Sequence, residues 1–127
     1  DDRALEAYDR LLARFGTDED PLVRGQVVRS WIGKGVTLGR LGRNTEAVAA
    51  YDAAIRDFGG DEAAELREQV SRAFLYKGAA FEEIGDLDQA REAFGRVVER
   101  CRGASDPASM ELGRIAGEAL ETPETVS

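Results

Sequence analysis

The chain repeats its own pattern of apolar and small residues after 43 positions. A set of residues within Ala4–Gly16 returns within Ala47–Gly59, and a weaker copy follows within Ala90–Arg102. A second set has the same spacing and consists of Val27, Trp31, Lys34, Gly35, Leu38, Leu41 and Gly42 in one copy and Val70, Phe74, Lys77, Gly78, Phe81, Ile84 and Gly85 in the next. Self-similarity at a fixed period of this length is typical of stacked repeats, in which each unit buries its apolar face against its neighbours.

Within each copy the apolar residues recur at spacings of three and four, which predicts helices and not strands. Pro21 and Pro107 stand where helices are expected to begin. We count five main helices, each antiparallel to its neighbours in sequence. The links that follow these five helices are expected near Gly16, Gly42, Gly59, Gly85 and Arg102.

The repeat predicts a single array over residues 1–122. Residues 1–16 form the second helix of a partial repeat, 17–59 and 60–102 are complete repeats, 103–122 form a capping helix, and 123–127 form a frayed tail. The capping helix is set apart because Gly113 and Gly117 fall where the preceding unit has Val70 and Phe74. Terminal units of such arrays are commonly atypical because they cap the stack.

Composition and charge argue against several classes of function. A net charge of −8 would repel nucleic acid. The chain has no histidine and a single cysteine, Cys101, so no catalytic centre, metal site or cofactor is expected. Cys101 matches Phe15 and Phe58 in the repeat, which predicts that it is buried as a small apolar residue.

No apolar run could span a membrane and no signal-peptide pattern is present, so a cytoplasmic location is expected. Fifteen of the 17 basic residues are arginine, which suggests a bacterial source with a GC-rich genome.

The repeated residues resemble the tetratricopeptide repeat, whose signature is W-x2-L-G-x2-Y followed by A-x3-F. The first unit carries Trp31, Lys34, Gly35, Leu38, Ala47, Tyr51, Ala54 and Gly59, and the second carries Phe74, Lys77, Gly78, Phe81, Ala90, Phe94 and Val97. The period exceeds the usual length of about 34 residues, as in the longer-helix variety of this family found in bacteria. The resemblance implies an all-α, right-handed α-solenoid of antiparallel helix pairs, with Gly35 and Gly78 at tight helix crossings. It also implies a protein–protein interaction scaffold that is not an enzyme.

In this family the first helix of each pair lines the concave face, where a peptide or partner helix is expected to bind. Carried over to this chain, that face bears Arg29, Ile32, Val36, Arg40, Arg72, Leu75, Tyr76, Ala79, Glu82 and Glu83. Arg29 and Arg72 would bind a carboxylate of the partner, or else remain ordinary solvated surface. The Lys/Asn/Arg set of the chaperone-binding members is not reproduced, so chaperone C-termini are not expected as ligands.

Lys34 and Lys77 stand where the family usually has leucine, and two interpretations are open. Their alkyl stems could lie along the core while the ammonium groups meet carboxylates such as Asp9, Asp52 or Glu82. Alternatively, the two lysines could point at an acidic ligand.

The chain opens on what matches the second helix of a pair. Some of Ala4, Leu5, Tyr8, Leu11 and Leu12 are therefore expected to lack cover, and an uncovered apolar patch favours association. This predicts either a longer natural protein or contacts between chains through the first helix. The alternative function is accordingly a self-association or regulatory segment of a larger multidomain bacterial protein.

Overall fold

The computed structural model describes residues 2–121, and these form six α-helices and no strand. The helices are α1 (Asp2–Phe15), α2 (Pro21–Arg40), α3 (Asn44–Phe58), α4 (Ala64–Ile84), α5 (Leu87–Cys101) and α6 (Pro107–Glu121). The five main helices are followed by the helix predicted after them, α6, which has 15 residues and is as long as α3 and α5. The predicted tail, 123–127, lies outside the described residues.

The helix ends follow from local capping chemistry. The Asp20 carboxylate accepts a hydrogen bond from the Leu22 amide at 2.9 Å, and Pro21 begins α2. The Asp86 carboxylate accepts from the Gln89 amide at 3.2 Å and so caps α5. Gly85 ends α4 with a φ of +94°, a left-handed conformation that glycine adopts without steric cost. These signals fall at the predicted links, so the order and ends of the helices agree closely with the sequence pattern.

The helices form two layers. Each helix packs against its neighbour in sequence, and α2 also contacts α4, which in turn contacts α6. In the described part of the chain, α1, α3 and α5 do not contact one another, and α1 does not contact α6. The layer of α2, α4 and α6 is therefore the more closely spaced one and lies on the inner side of an open array. The fold is the expected all-α helical-repeat solenoid.

Small residues allow the helices to approach closely. A Cβ atom added to Gly35 would lie 2.4 Å from the Tyr51 ring, and one added to Gly78 would lie 2.6 Å from the Phe94 ring. Both glycines therefore sit at tight crossings between the two helices of a pair, as predicted. Cys101 is buried in the same core, also as predicted. None of the helices in residues 2–121 is long and apolar enough to cross a bilayer.

Candidate protein-binding surface

A groove with a volume of about 540 Å³ opens between the C-terminal halves of α2 and α4. Helix α3 closes its base with Asn44, Ala47 and Tyr51. Six of the ten residues predicted for the binding face line this groove, namely Val36, Arg40, Tyr76, Ala79, Glu82 and Glu83. We call it the concave groove, because it lies between helices of the inner layer.

Two tyrosines form the floor of the concave groove. The rings of Tyr51 and Tyr76 have their centroids 5.9 Å apart and are tilted by 45°. Tyr51 is only 3% exposed, and this burial raises the pKa of its hydroxyl to about 12. The sequence analysis includes Tyr51 among the repeated residues and does not assign it to the binding face. Its contact with Tyr76 depends on how α3 is rotated against α4, which no single-helix pattern reveals.

The rim of the groove carries charges of both signs. Arg40 lies at the end of α2, while Glu82 and Glu83 lie at the end of α4. All three side chains are exposed, and within residues 2–121 none of them forms an ion pair. The groove therefore combines an apolar floor with a cation on one wall and two carboxylates on the other.

The other four predicted residues lie outside the groove. Ile32 and Leu75 are 7% and 8% exposed, so their side chains belong mainly to the core and offer a partner little surface.

The two arginines expected to bind a carboxylate of the partner already form ion pairs with carboxylates of this chain. Arg29 of α2 pairs with Glu65 of α4. Arg72 pairs with Glu68, one turn earlier on α4, with 3.2 Å between Nη2 and Oε2. These arginines help to join and order the inner helices. Among the described residues, Arg40 is the groove cation that has no ion-pair partner.

Lys34 and Lys77 form equivalent ion pairs between units. Lys34 Nζ is 2.6 Å from Asp9 Oδ1, and Lys77 Nζ is 2.7 Å from Asp52 Oδ1. Each pair joins a helix of the inner layer to the helix that precedes it. The structural interpretation of the two lysines is therefore confirmed for both positions.

Helix α1 is covered more completely than its sequence suggests. Leu5 is buried, whereas Leu11, Leu12 and Tyr8 are half-buried, and the Tyr8 ring lies over Gly33 of α2. The most exposed large apolar side chain in residues 2–121 is instead Leu22, at the start of α2. Association through α1 stays a prediction.

The sequence model of one family matches this chain. The tetratricopeptide repeat model matches residues 2–62 and 32–109, which together include every residue of the concave groove. No curated protein and no solved structure matches the chain. Repeats of this type generally mediate protein–protein interactions and are typically not catalytic. The chain belongs to the tetratricopeptide repeat family.

Proposed function

We propose that this protein is a non-catalytic scaffold that binds a peptide or a segment of a partner protein in the concave groove. The observation that carries the proposal is the combination of an apolar floor with unpaired charges on both walls. A groove of about 540 Å³ accommodates a few side chains of a partner. Exposed charges without ion-pair partners in residues 2–121 remain available to orient that segment.

The lining of the groove defines the chemistry of the ligand. An apolar side chain would pack on Val36, Tyr76 and Ala79, where it displaces water from apolar surface. A basic side chain would lie toward Glu82 and Glu83, and an acidic one toward Arg40. We therefore expect a segment that has an apolar residue between charges of opposite sign. Arg40 takes the orienting role that the sequence assigned to Arg29 and Arg72.

The same proposal covers the organisation and location of the chain. It treats 1–122 as one array with complete repeats at 17–59 and 60–102, preceded by a partial repeat and followed by the α6 unit. It also retains a cytoplasmic setting in a bacterium, supported by the cysteine usage and the arginine-rich composition.

A blocking substitution tests the site directly. A random peptide library is first selected on the parent protein, and the Kd of the best peptide is measured by calorimetry. Ala79→Arg places a long side chain in the groove and should weaken binding at least about tenfold, since it excludes the apolar anchor. Ala49→Arg is the matched control, because Ala49 is also an exposed helical alanine but lies on α3, outside the groove. Equal affinity for both variants and the parent would show that the groove is not the site.

Charge reversals distinguish binding in the concave groove from binding at Arg29 and Arg72. Arg40→Glu should weaken the selected peptide more than Arg29→Glu combined with Arg72→Glu, once melting curves show that each variant is folded. The opposite ranking would place the ligand near the N-terminal halves of α2 and α4.

A further inference from the structure

The two junctions between inner helices differ at their N-terminal ends. At the α2–α4 junction Arg24 Nη2 lies 3.4 Å from Asp61 Oδ2, in the link before α4. The guanidinium of Arg24 also lies over the Phe58 ring, 4.6 Å from its centroid. The ion pair between Arg24 and Asp61 therefore connects α2 to the link before α4 at this end of the junction.

The α4–α6 junction has a link of the same length but lacks the carboxylate, and its backbone differs at Gly103, where φ is +76°. In the repeat, Arg67 corresponds to Arg24 and Ala104 corresponds to Asp61. The Asp61 amide donates to the Phe58 carbonyl at 3.1 Å, and the Ala104 amide donates to the Cys101 carbonyl, also at 3.1 Å. A methyl group thus stands where the preceding junction has its carboxylate. Arg67 is exposed and forms no ion pair within the described part of the chain.

A cavity of about 690 Å³ lies at this junction, and we call it the junction cavity. Its polar lining includes three arginines and three serines, namely Arg67, Arg100, Arg102, Ser71, Ser105 and Ser109. Arg100 donates from Nε to the Ser71 hydroxyl at 3.3 Å and from Nη2 to the Arg67 carbonyl at 3.5 Å. These bonds hold its guanidinium at the cavity, where burial and then the charge of Arg67 lower the pKa of Arg100.

Four carboxylates also line the junction cavity, but three of them are engaged elsewhere. Glu65 pairs with Arg29, Glu68 pairs with Arg72, and Asp106 accepts the Ser109 amide at 2.9 Å. Glu62 is the fourth. Among residues 2–121, neither Arg67, Arg100 nor Arg102 forms an ion pair. The cavity therefore has three arginines without an ion-pair partner in residues 2–121, beside the carboxylates of Glu62 and Asp106, which pair with no cation there.

We propose that the junction cavity is a second binding site, which takes an acidic segment of a partner protein through its side-chain carboxylates. Arg67 and Arg102 offer paired N–H donors that match carboxylate oxygens in geometry and charge. Arg100 already donates to Ser71 and to the Arg67 carbonyl, and it adds positive charge beside them. The site is distinct from the concave groove, since Arg67 and Ser71 belong to the first half of α4, whereas Ala79 and Glu83 belong to its end.

The first test uses a fluorescein-labelled hexaglutamate peptide in low-salt Hepes buffer, with hexaglutamine as the neutral control. Binding should saturate, fail with hexaglutamine, and weaken about tenfold or more in Arg67→Gln combined with Arg102→Gln, since hydrogen bonds to charged groups are involved. Arg3→Gln combined with Arg10→Gln is the matched control, because both arginines are exposed and lie on α1. Equal loss of affinity in the two double variants would overturn the proposal, since it would indicate net charge alone.

The second test restores the missing carboxylate. Ala104→Asp should give Arg67 an internal partner, as Asp61 does for Arg24, and should abolish hexaglutamate binding. Ala13→Asp adds the same charge at an exposed position of α1, outside the cavity lining, and should leave binding within about twofold of the parent. Unchanged binding to Ala104→Asp would overturn the proposal. Peptides selected for the concave groove should still bind Ala104→Asp, so the two sites can fail separately.

Two further outcomes would assign the cavity to another occupant. Inorganic phosphate that displaces hexaglutamate at an equal concentration would indicate a site for small anions and overturn the acidic-segment proposal. Sedimentation that shows a dimer of the parent, dissociated by Arg67→Gln with Arg102→Gln, would indicate a second copy of this chain instead of a different protein. We expect neither phosphate competition at matched concentration nor such a dimer.

Discussion

Replacing Gly35 by alanine adds one methyl group at the closest helix crossing of the first complete repeat. The added Cβ would lie 2.4, 2.8 and 2.9 Å from three carbon atoms of the Tyr51 ring, whereas ordinary contacts begin near 3.4 Å. The ring would have to recede by about 1 Å to restore such a contact. Tyr51 is buried and packed against Tyr76, so it has little room to do so.

Two opposing effects set the size of the change. Alanine favours the helix over glycine by about 0.5–1 kcal/mol. Overpacking a buried site typically costs about 1–3 kcal/mol. The cost of overpacking should exceed the gain in helix propensity, and we expect a net destabilisation of about 1–2 kcal/mol. For a chain of this length that corresponds to a fall in Tm of roughly 4–8 °C.

Thermal unfolding followed by circular dichroism measures this difference, and Gly95→Ala is the matched control. Gly95 is also inside a helix, but no heavy atom outside its own local backbone lies within 4 Å of an added Cβ. That variant should gain about 0.5–1 kcal/mol from helix propensity alone. If Gly35→Ala raised the Tm as Gly95→Ala does, the close crossing would not exist in solution.

A second substitution identifies the ring as the cause. In a Tyr51→Leu background the nearest ring atoms are absent, so Gly35→Ala should become neutral or stabilising. The coupling energy between the two positions should be about 1–3 kcal/mol, the range found for residues in contact. Additive effects would contradict the overpacking argument even if Gly35→Ala alone were destabilising.

Three other predictions concern charge and capping. A double-mutant cycle with Lys77→Met and Asp52→Asn should give a coupling of about 0.2–1 kcal/mol that declines in 1 M salt, because the pair is partly exposed; zero coupling at low salt would contradict the pair. Because the pKa of Tyr51 is raised to about 12 in the folded state, the contribution of its protonated form to stability should persist up to about pH 10 and decline as the pH rises toward 12. Denaturant titrations between pH 9 and 12 should show this component in the parent and not in Tyr51→Phe. Asp86→Ala should cost about 1 kcal/mol through loss of the α5 cap, and Asp86→Asn distinctly less; equal losses would contradict the capping role.

The helices could be predicted closely because their ends depend on neighbouring residues. Gly85 and Pro107 mark an end and a start that the structure reproduces. Helix α4 begins only at Ala64, within the repeat predicted to start at residue 60. There the Asp61 carboxylate accepts a hydrogen bond from the Ala63 amide at 2.9 Å, which stabilises a turn in the residues before the helix.

The binding face could be predicted only in part, because its chemistry depends on contacts between distant helices. The helical period placed Arg40 and Arg29 on one stripe of α2, but it could not show that Arg29 pairs with Glu65, 36 positions later. Nor could it show that Tyr51 of α3 reaches the floor of the groove beside Tyr76. Such pairings depend on the rotation and offset of one helix against another, which the sequence of either helix does not determine.

The positions at which the units differ carry more information about function than those at which they agree. Gly33 and Tyr76 correspond in the repeat, as do Tyr8 and Tyr51. The Tyr8 ring lies over Gly33, whereas the Tyr51 ring packs at a tilt against the Tyr76 ring.

At the second such position, the methyl group of Ala104 stands in place of the carboxylate of Asp61. Arg67 accordingly has no ion-pair partner in the described chain. Matching positions, such as Lys34 and Lys77, are occupied by contacts that build the array. A side chain that is paired within the array is less available to a partner. The concave groove and the junction cavity both carry charged side chains without an ion-pair partner in residues 2–121, and this is why we assign recognition to them.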